Sequence, residues 1–178
     1  DPEMSRGLGD VYKRQILMFG IGKKKELKDD KELYNPVSGE VIELSKVNDP
    51  VFSKKIMGDG FAVEPKENKI FAPVSAKVTL VQGHAIGFKR ADGLDILLHL
   101  GIDTVALKGA PFKIKVKVDD IVNGGDELGT VDWGQIEAAG LDKTTMVIFT
   151  NTKDLLSGFE VKYGSANARD ELGQASVK

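Results

Sequence analysis

The chain contains two histidines, His84 and His99, and no cysteine. That composition rules out disulfides, thiolate nucleophiles and cysteine metal sites. His99 stands in "GLDILLHLGIDTV", an otherwise aliphatic stretch covering 93–105. By the period of two of a strand, Leu94, Ile96, Leu98, Leu100 and Ile102 fall on one side. Asp95, Leu97, His99, Gly101 and Asp103 fall on the other, so the imidazole lies away from the core face. Upstream, "HAIGFKR" and "LDILLHL" flank "ADG", an Asp-Gly hairpin signal. With a loop of even length Arg90 pairs with Asp95 and His84 falls opposite Gly101. His99 is then the diagonal neighbour of His84 on the same face, roughly 7–8 Å away between α-carbons. An odd loop would shift the parity and send the rings to opposite faces. The Arg90–Asp95 pairing favours the even loop, so the two imidazoles are expected to converge.

Converging imidazoles offer a short menu. Acyl transfer has no nucleophile motif behind it. His99-Leu-Gly-Ile-Asp103 is an H-x-x-x-D string, and a catalytic zinc needs three protein ligands plus a water. His84, His99 and an aspartate could supply them in a zinc-dependent hydrolase of a related β-sandwich type, although neither H-E-x-x-H nor H-x-H is present. An adventitious or partner-bridging zinc on His84 and His99 would need only the pair. The remaining option is nucleophilic: a neutral imidazole nitrogen attacks a phosphoryl group, and the second histidine stabilises the developing charge. A further alternative comes from "KVKVDDIVNGGDELGTV", whose V-x-x-G-x-x-x-G rhythm is that of biotinyl or lipoyl carrier domains.

The elements that must hold these residues are short. From residue 34 onward, β-branched runs such as "GEVIEL", "GFAVEP", "AKVTLV" and "TMVIFTN" are punctuated by Gly, Pro, Asn and Asp, the mark of an all-β antiparallel sandwich or barrel. "DWGQIEAAG" predicts a short helix with Asp132 at its N-cap and Gly140 at its end, and "PVFSKKIMG" a second helical turn. "NPVSGEV" (35–41) echoes "APVSAKV" (72–78), which suits a pseudo-duplicated β fold. Residues 1–17 are read as a non-native leader, with Met18 as the natural start. Residues 18–31 are read as a flexible charged segment, 32–151 as the domain, and 152–178 as a polar, flexible tail. The net charge of −2 argues against nucleic-acid binding. No apolar run approaches the ~20 residues of a membrane span. A cytoplasmic protein with one domain is expected.

"GDGFAVEP", "FAPVSAKV", "HAIG", "LLHLGIDTVALKG" and "TTMVIFTN" resemble the glucose-type IIA component of the bacterial phosphoenolpyruvate-dependent sugar phosphotransferase system, over Glu32 to Asn151. The resemblance implies a compact β-sandwich of duplicated hybrid motif type and a phosphoryl relay that requires no cofactor. The phosphocarrier HPr would donate to Nε2 of His99, which would pass the group to a cysteine in the IIB domain of a membrane sugar permease. By the match, His84 would contact the phosphoryl group, and the Gly101 carbonyl would hold the His99 Nδ1–H. Gln82 stands where the family often has a threonine supporting the first histidine. Asp49 and Asp103 match carboxylates flanking the site, and Val51, Phe52, Ile56, Met57 and Leu97 match an apolar rim that meets partners. A monomer is implied.

Overall fold

The computed structural model describes residues 26–178. The leader expected over 1–17, and residues 18–25 of the charged segment, lie outside the described residues. Strands come first from local pattern. "DILLHL" forms β7 (Asp95–Leu100) with strict in–out alternation, Ile96, Leu98 and Leu100 being buried and the residues between them half-exposed. "TMVIF" forms β11 (Thr145–Phe149), buried along its whole length because packing covers both faces. The remaining strands are β1 (Glu32–Tyr34), β2 (Gly39–Glu43), β3 (Asp59–Pro65), β4 (Lys69–Phe71), β5 (Ala76–Gln82) and β6 (Ala85–Lys89). After β7 come β8 (Phe112–Ile114), β9 (Ile121–Val122) and β10 (Glu127–Val131), and after β11 come β12 (Leu156–Val161), β13 (Gly164–Ala166) and β14 (Glu171–Val177).

These strands make an eight-stranded antiparallel sheet in the order β9-β5-β6-β7-β11-β3-β2-β13 and two three-stranded sheets, β4-β10-β8 and β12-β14-β1. The expected all-β sandwich is what forms. Its helices are few and short: α1 (Pro50–Ser53), α2 (Trp133–Ala138) and α3 (Thr152–Leu155). Asp132 stands at the N-cap of α2 and Gly140 follows its end in the left-handed conformation, φ +77°, as the sequence signals required.

The large sheet reads symmetrically from its two edges, and the cause is visible in sequence. The two P-V-S corners are equivalent: Tyr34 N–H donates to Pro73 O and Phe71 N–H to Pro36 O, both at 2.8 Å. A second echo completes the duplication, "VNGGDELG" (122–129) with "ANARDELG" (166–173). Asn123 N–H donates to Asp126 Oδ2 as Asn167 N–H does to Asp170 Oδ2. Each run ends on a glycine at a register shift, where a β-carbon would strike a facing carbonyl: Lys113 O at 2.0 Å from Gly129, Glu160 O at 1.9 Å from Gly173. Thus β12–β14 mirror β8–β10.

This corrects the expectation of a flexible tail over 152–178. The segment is polar because only one face of its strands is covered, yet Leu156, Leu172 and Ala175 are buried against the main core. The end of the charged leader is tied down as well. Asp30 accepts from Ser75 Oγ (2.7 Å) and Tyr34 Oη (2.9 Å), and Ala175 N–H donates to Lys31 O at 3.0 Å.

One face of the large sheet packs on the main core through Phe61, Val63, Ile86, Phe88, Leu98, Leu100, Val147 and Phe149. Its other face carries a small second cluster of Leu44, Val47, Phe52, Ala62, Ile102, Met146 and Ile148. Ile102 therefore does not share the core side with Leu100 as strand alternation predicted. Gly101 leaves the strand at φ +84° and resets the parity. The duplication breaks at the hairpin turns beside His99. The β5–β6 connection is the tight turn Gly83–His84, whereas its counterpart between β2 and β3 is a long excursion bearing a 3-10 turn and α1. The excursion lies beside the tight turn, over the second cluster.

Candidate functional site

His99 is the last outward residue of β7, paired with Ala85 on β6 and Met146 on β11. Its ring sits between two others. The His84 ring is 5.2 Å away between centroids, edge-on at 75°, and the Phe52 ring is 5.0 Å away at 55°. The expected convergence of the imidazoles is therefore present, but the register that was to produce it is not. Lys89, not Arg90, faces Asp95, so the pairing is one residue out of the predicted phase. The reason lies in the loop. Arg90 N–H donates to Leu94 O at 2.9 Å and closes a loop of odd length over 91–93, with Gly93 at φ +94°. The Arg90 side chain turns inward, buried, to pair with Asp92 and to donate to Ala175 O at 3.0 Å. Lys89 takes the ion pair with Asp95 instead, at 3.3 Å. Odd parity would separate the rings if His84 stood within the pleat. It stands in the Gly83–His84 turn, where alternation does not apply, and its carbonyl is fixed by Leu100 N–H at 2.7 Å.

The electrostatics follow from this packing. Burial is the main cause that pushes the His99 pKa below its ordinary value, and the neighbouring His84 adds to it. The hydrogen bond to Gly101 and the charges of Asp49 and Asp103 oppose the shift without overcoming it. His99 is therefore neutral at pH 7. Its Nδ1 lies 2.7 Å from Gly101 O. A carbonyl only accepts, so Nδ1 carries the hydrogen and Nε2 keeps its lone pair. Burial also lowers the His84 pKa, opposed by a bond to the backbone of Gln82. The partner is thus the main chain of Gln82, whose side chain is exposed.

Around the pair, Asp49 caps α1, its Oδ1 accepting from Val51 N–H at 2.8 Å, and Asp103 stands exposed in the left-handed conformation, φ +62°. Val51, Ile56 and Met57 are exposed at 41%, 69% and 37%, as a rim requires. Phe52 is not a rim residue: at 6% exposure it is a wall of the second cluster and of the His99 ring. Leu97 likewise packs half-buried against that cluster. Val105, 61% exposed just beyond Asp103, is apolar surface that the sequence reading passed over. A 3-10 turn over Thr104–Leu107 lifts it out of strand alternation. Two imidazoles supply half of a tetrahedral metal shell, and no group of three or more His, Cys, Asp or Glu that could hold a metal occurs among the described residues. No helix among the described residues is long and apolar enough to cross a membrane.

Comparison with known proteins covers the stretch of chain that holds these residues. The family model of the phosphoenolpyruvate-dependent sugar phosphotransferase system, EIIA 1, matches residues 31–155. The glucose-specific EIICBA component of Streptococcus pneumoniae is 41% identical over 148 residues, covering 82% of this chain but 20% of the relative. The chain thus spans about a fifth of the length of such multidomain relatives. The glucose-specific EIIA component of Halalkalibacterium halodurans is 33% identical over 167 residues, 90% of this chain and 96% of the relative. The solved glucose permease IIA from Mycoplasma capricolum superposes with a TM-score of 0.74 at 38% identity, covering 84% of this chain and 97% of that one. These matches favour neither the zinc hydrolase nor the biotinyl or lipoyl carrier. Sequence and fold agree, and the chain belongs to the EIIA 1 family of the phosphoenolpyruvate-dependent sugar phosphotransferase system.

Proposed function

We propose that this phosphotransferase-system component carries its phosphoryl group on Nε2 of His99. The supporting observation is the 2.7 Å contact between His99 Nδ1 and Gly101 O, which leaves the lone pair of Nε2 free. In the uptake step the donor is the phosphohistidine of HPr. The P–N bond to the donor imidazole breaks as the bond to Nε2 forms, and the donor ring leaves with the electron pair of the broken bond. The ring of His99 keeps its Nδ1–H and gains positive charge, which the Gly101 carbonyl and the carboxylates of Asp49 and Asp103 stabilise. The arriving dianion raises the pKa of His84, which takes up a proton and donates to a phosphoryl oxygen. In the second step a cysteine thiolate of a IIB domain attacks phosphorus, and neutral His99 departs. Neither step takes a cofactor.

Exposed Val51, Ile56, Met57 and Val105, bordered by Asp49 and Asp103, form the surface on which both partners dock in turn. A small apolar patch with charges at its rim suits brief encounters. The protein acts as a monomer in the cytoplasm. The names of the relatives carry glucose and β-glucoside, and the sugar is chosen by the permease's IIC transport domain, not by the IIB domain that receives the phosphoryl group. The test is uptake from phosphoenolpyruvate, enzyme I and HPr, read by intact mass. Wild type should gain one acid-labile phosphoryl group and His99→Ala none. His84→Ala should still accept but pass the group on poorly. Uptake by His99→Ala would overturn the assignment.

A further inference from the structure

The Gly101 carbonyl that faces His99 Nδ1 follows a peptide plane anchored by a side chain outside the reacting set. Gly101 occupies two peptide planes after β7, with φ at +84°. The plane before it ends in Leu100 O, which accepts from Thr104 Oγ1 at 2.6 Å. The plane after it presents Gly101 O to His99 Nδ1 on one side, and Ile102 N–H to Asp142 O at 2.9 Å on the other. Thr104 is fully buried, and its methyl stands 2.6 Å from the point where a β-carbon on Gly101 would lie. Hydroxyl and methyl thus fix the chain at its reversal, with the Asp142 carbonyl as a second stop at 3.0 Å. Among the described residues no hydrogen bond joins the Thr104 side chain to either imidazole.

We propose that Thr104 is a positioning residue for phosphoryl uptake, acting through the Leu100–Gly101 peptide to hold the Gly101 carbonyl on His99 Nδ1. The proposal rests on the reading of His99 as acceptor, but its first readout does not. In Thr104→Val the volume is kept and the hydroxyl is lost. The Leu100–Gly101 plane then loses its side-chain anchor, the next plane is held by the Ile102–Asp142 bond alone, and the His99 ring samples both neutral tautomers.

The experiment compares wild type, Thr104→Val, Thr104→Ala and Thr104→Ser in the full chain. Ring nitrogen chemical shifts report the His99 tautomer, single-turnover uptake from phospho-HPr reports rate, and thermal melting reports stability. Thr104→Val should mix the tautomers and slow uptake about tenfold, the loss of roughly one hydrogen bond. Thr104→Ser should restore the tautomer and bring uptake within about twofold of wild type, whatever its melting temperature. Thr104→Ala serves as the variant without hydroxyl should the valine form not fold. A hydroxyl-free variant with the wild-type tautomer and rate overturns the proposal, as does a serine variant no better than valine. If the tautomer shifts on losing the hydroxyl but wild type takes no phosphate on His99, the positioning stands and the acceptor reading falls.

Discussion

Removing the Phe52 ring tests the physical state of His99 directly. Phe52 is 6% exposed, packs in the second cluster and faces the imidazole at 5.0 Å. Truncating a buried phenylalanine to alanine costs about 3–5 kcal/mol. The cluster is small and bordered by exposed Val51, so the lower end applies, about 3 kcal/mol. For a chain of this size that is a fall in Tm of about 6–12 °C. The second effect is electrostatic. Burial is the leading cause of the depressed His99 pKa, and water admitted where the ring stood weakens that cause, so the midpoint must rise toward the ordinary 6.5. With two histidines in the chain, an NMR titration of Phe52→Ala resolves both without ambiguity. Phe52→Leu, which keeps most of the apolar volume, should show smaller changes of the same sign. A midpoint that stays put or falls further, in a protein that melts lower, would refute burial by Phe52 as the cause.

Gly101→Ala forces a methyl into a left-handed position costing about 1–2 kcal/mol and against Thr104 and Asp142. It should displace the carbonyl and slow uptake more than tenfold, checked by single-turnover kinetics. Wild-type uptake would show that the carbonyl is dispensable. Because the folded pKa values of His84 and His99 lie below 6.5, the native state holds fewer protons than the unfolded chain as pH falls from 6.5. Their contribution to stability is present above pH 6.5 and is lost as pH falls through the folded values, and uptake falls with protonation of His99. Denaturant melts and rates across pH 5 to 8 check both signs. Ending the chain after residue 155 removes Leu156 and Leu172, each worth about 1.5–3 kcal/mol of burial, together with three strands. Cooperative melting should be lost, and a truncated chain that melts like the full one would exclude the C-terminal strands from the fold.

Much of the site could be read from residue order, because alternation in β7 is set by its own pattern: Ile96, Leu98 and Leu100 inward, His99 outward. The hairpin phase could not. Lys89 and Arg90 are adjacent cations and either can face Asp95, and the choice was made by Arg90 turning toward Asp92 and Ala175, contacts remote in sequence. Convergence of the rings survived because a turn residue, His84, escapes pleat parity. The C-terminal strands were missed because their composition is polar, although the repeated Asp-Glu-Leu-Gly was there to be read. Phe52 and Val51 are neighbours of like hydropathy, and only the docking of α1 on the sheet buries one and exposes the other.

The most direct measurement is the position of the phosphoryl group itself. Phosphorylated, nitrogen-labelled protein examined by phosphorus–nitrogen coupling should show one phosphoryl group, on Nε2 of His99, with Nδ1 still protonated and bonded to Gly101. Phosphate found on Nδ1, on His84 or on a hydroxyl would contradict the account.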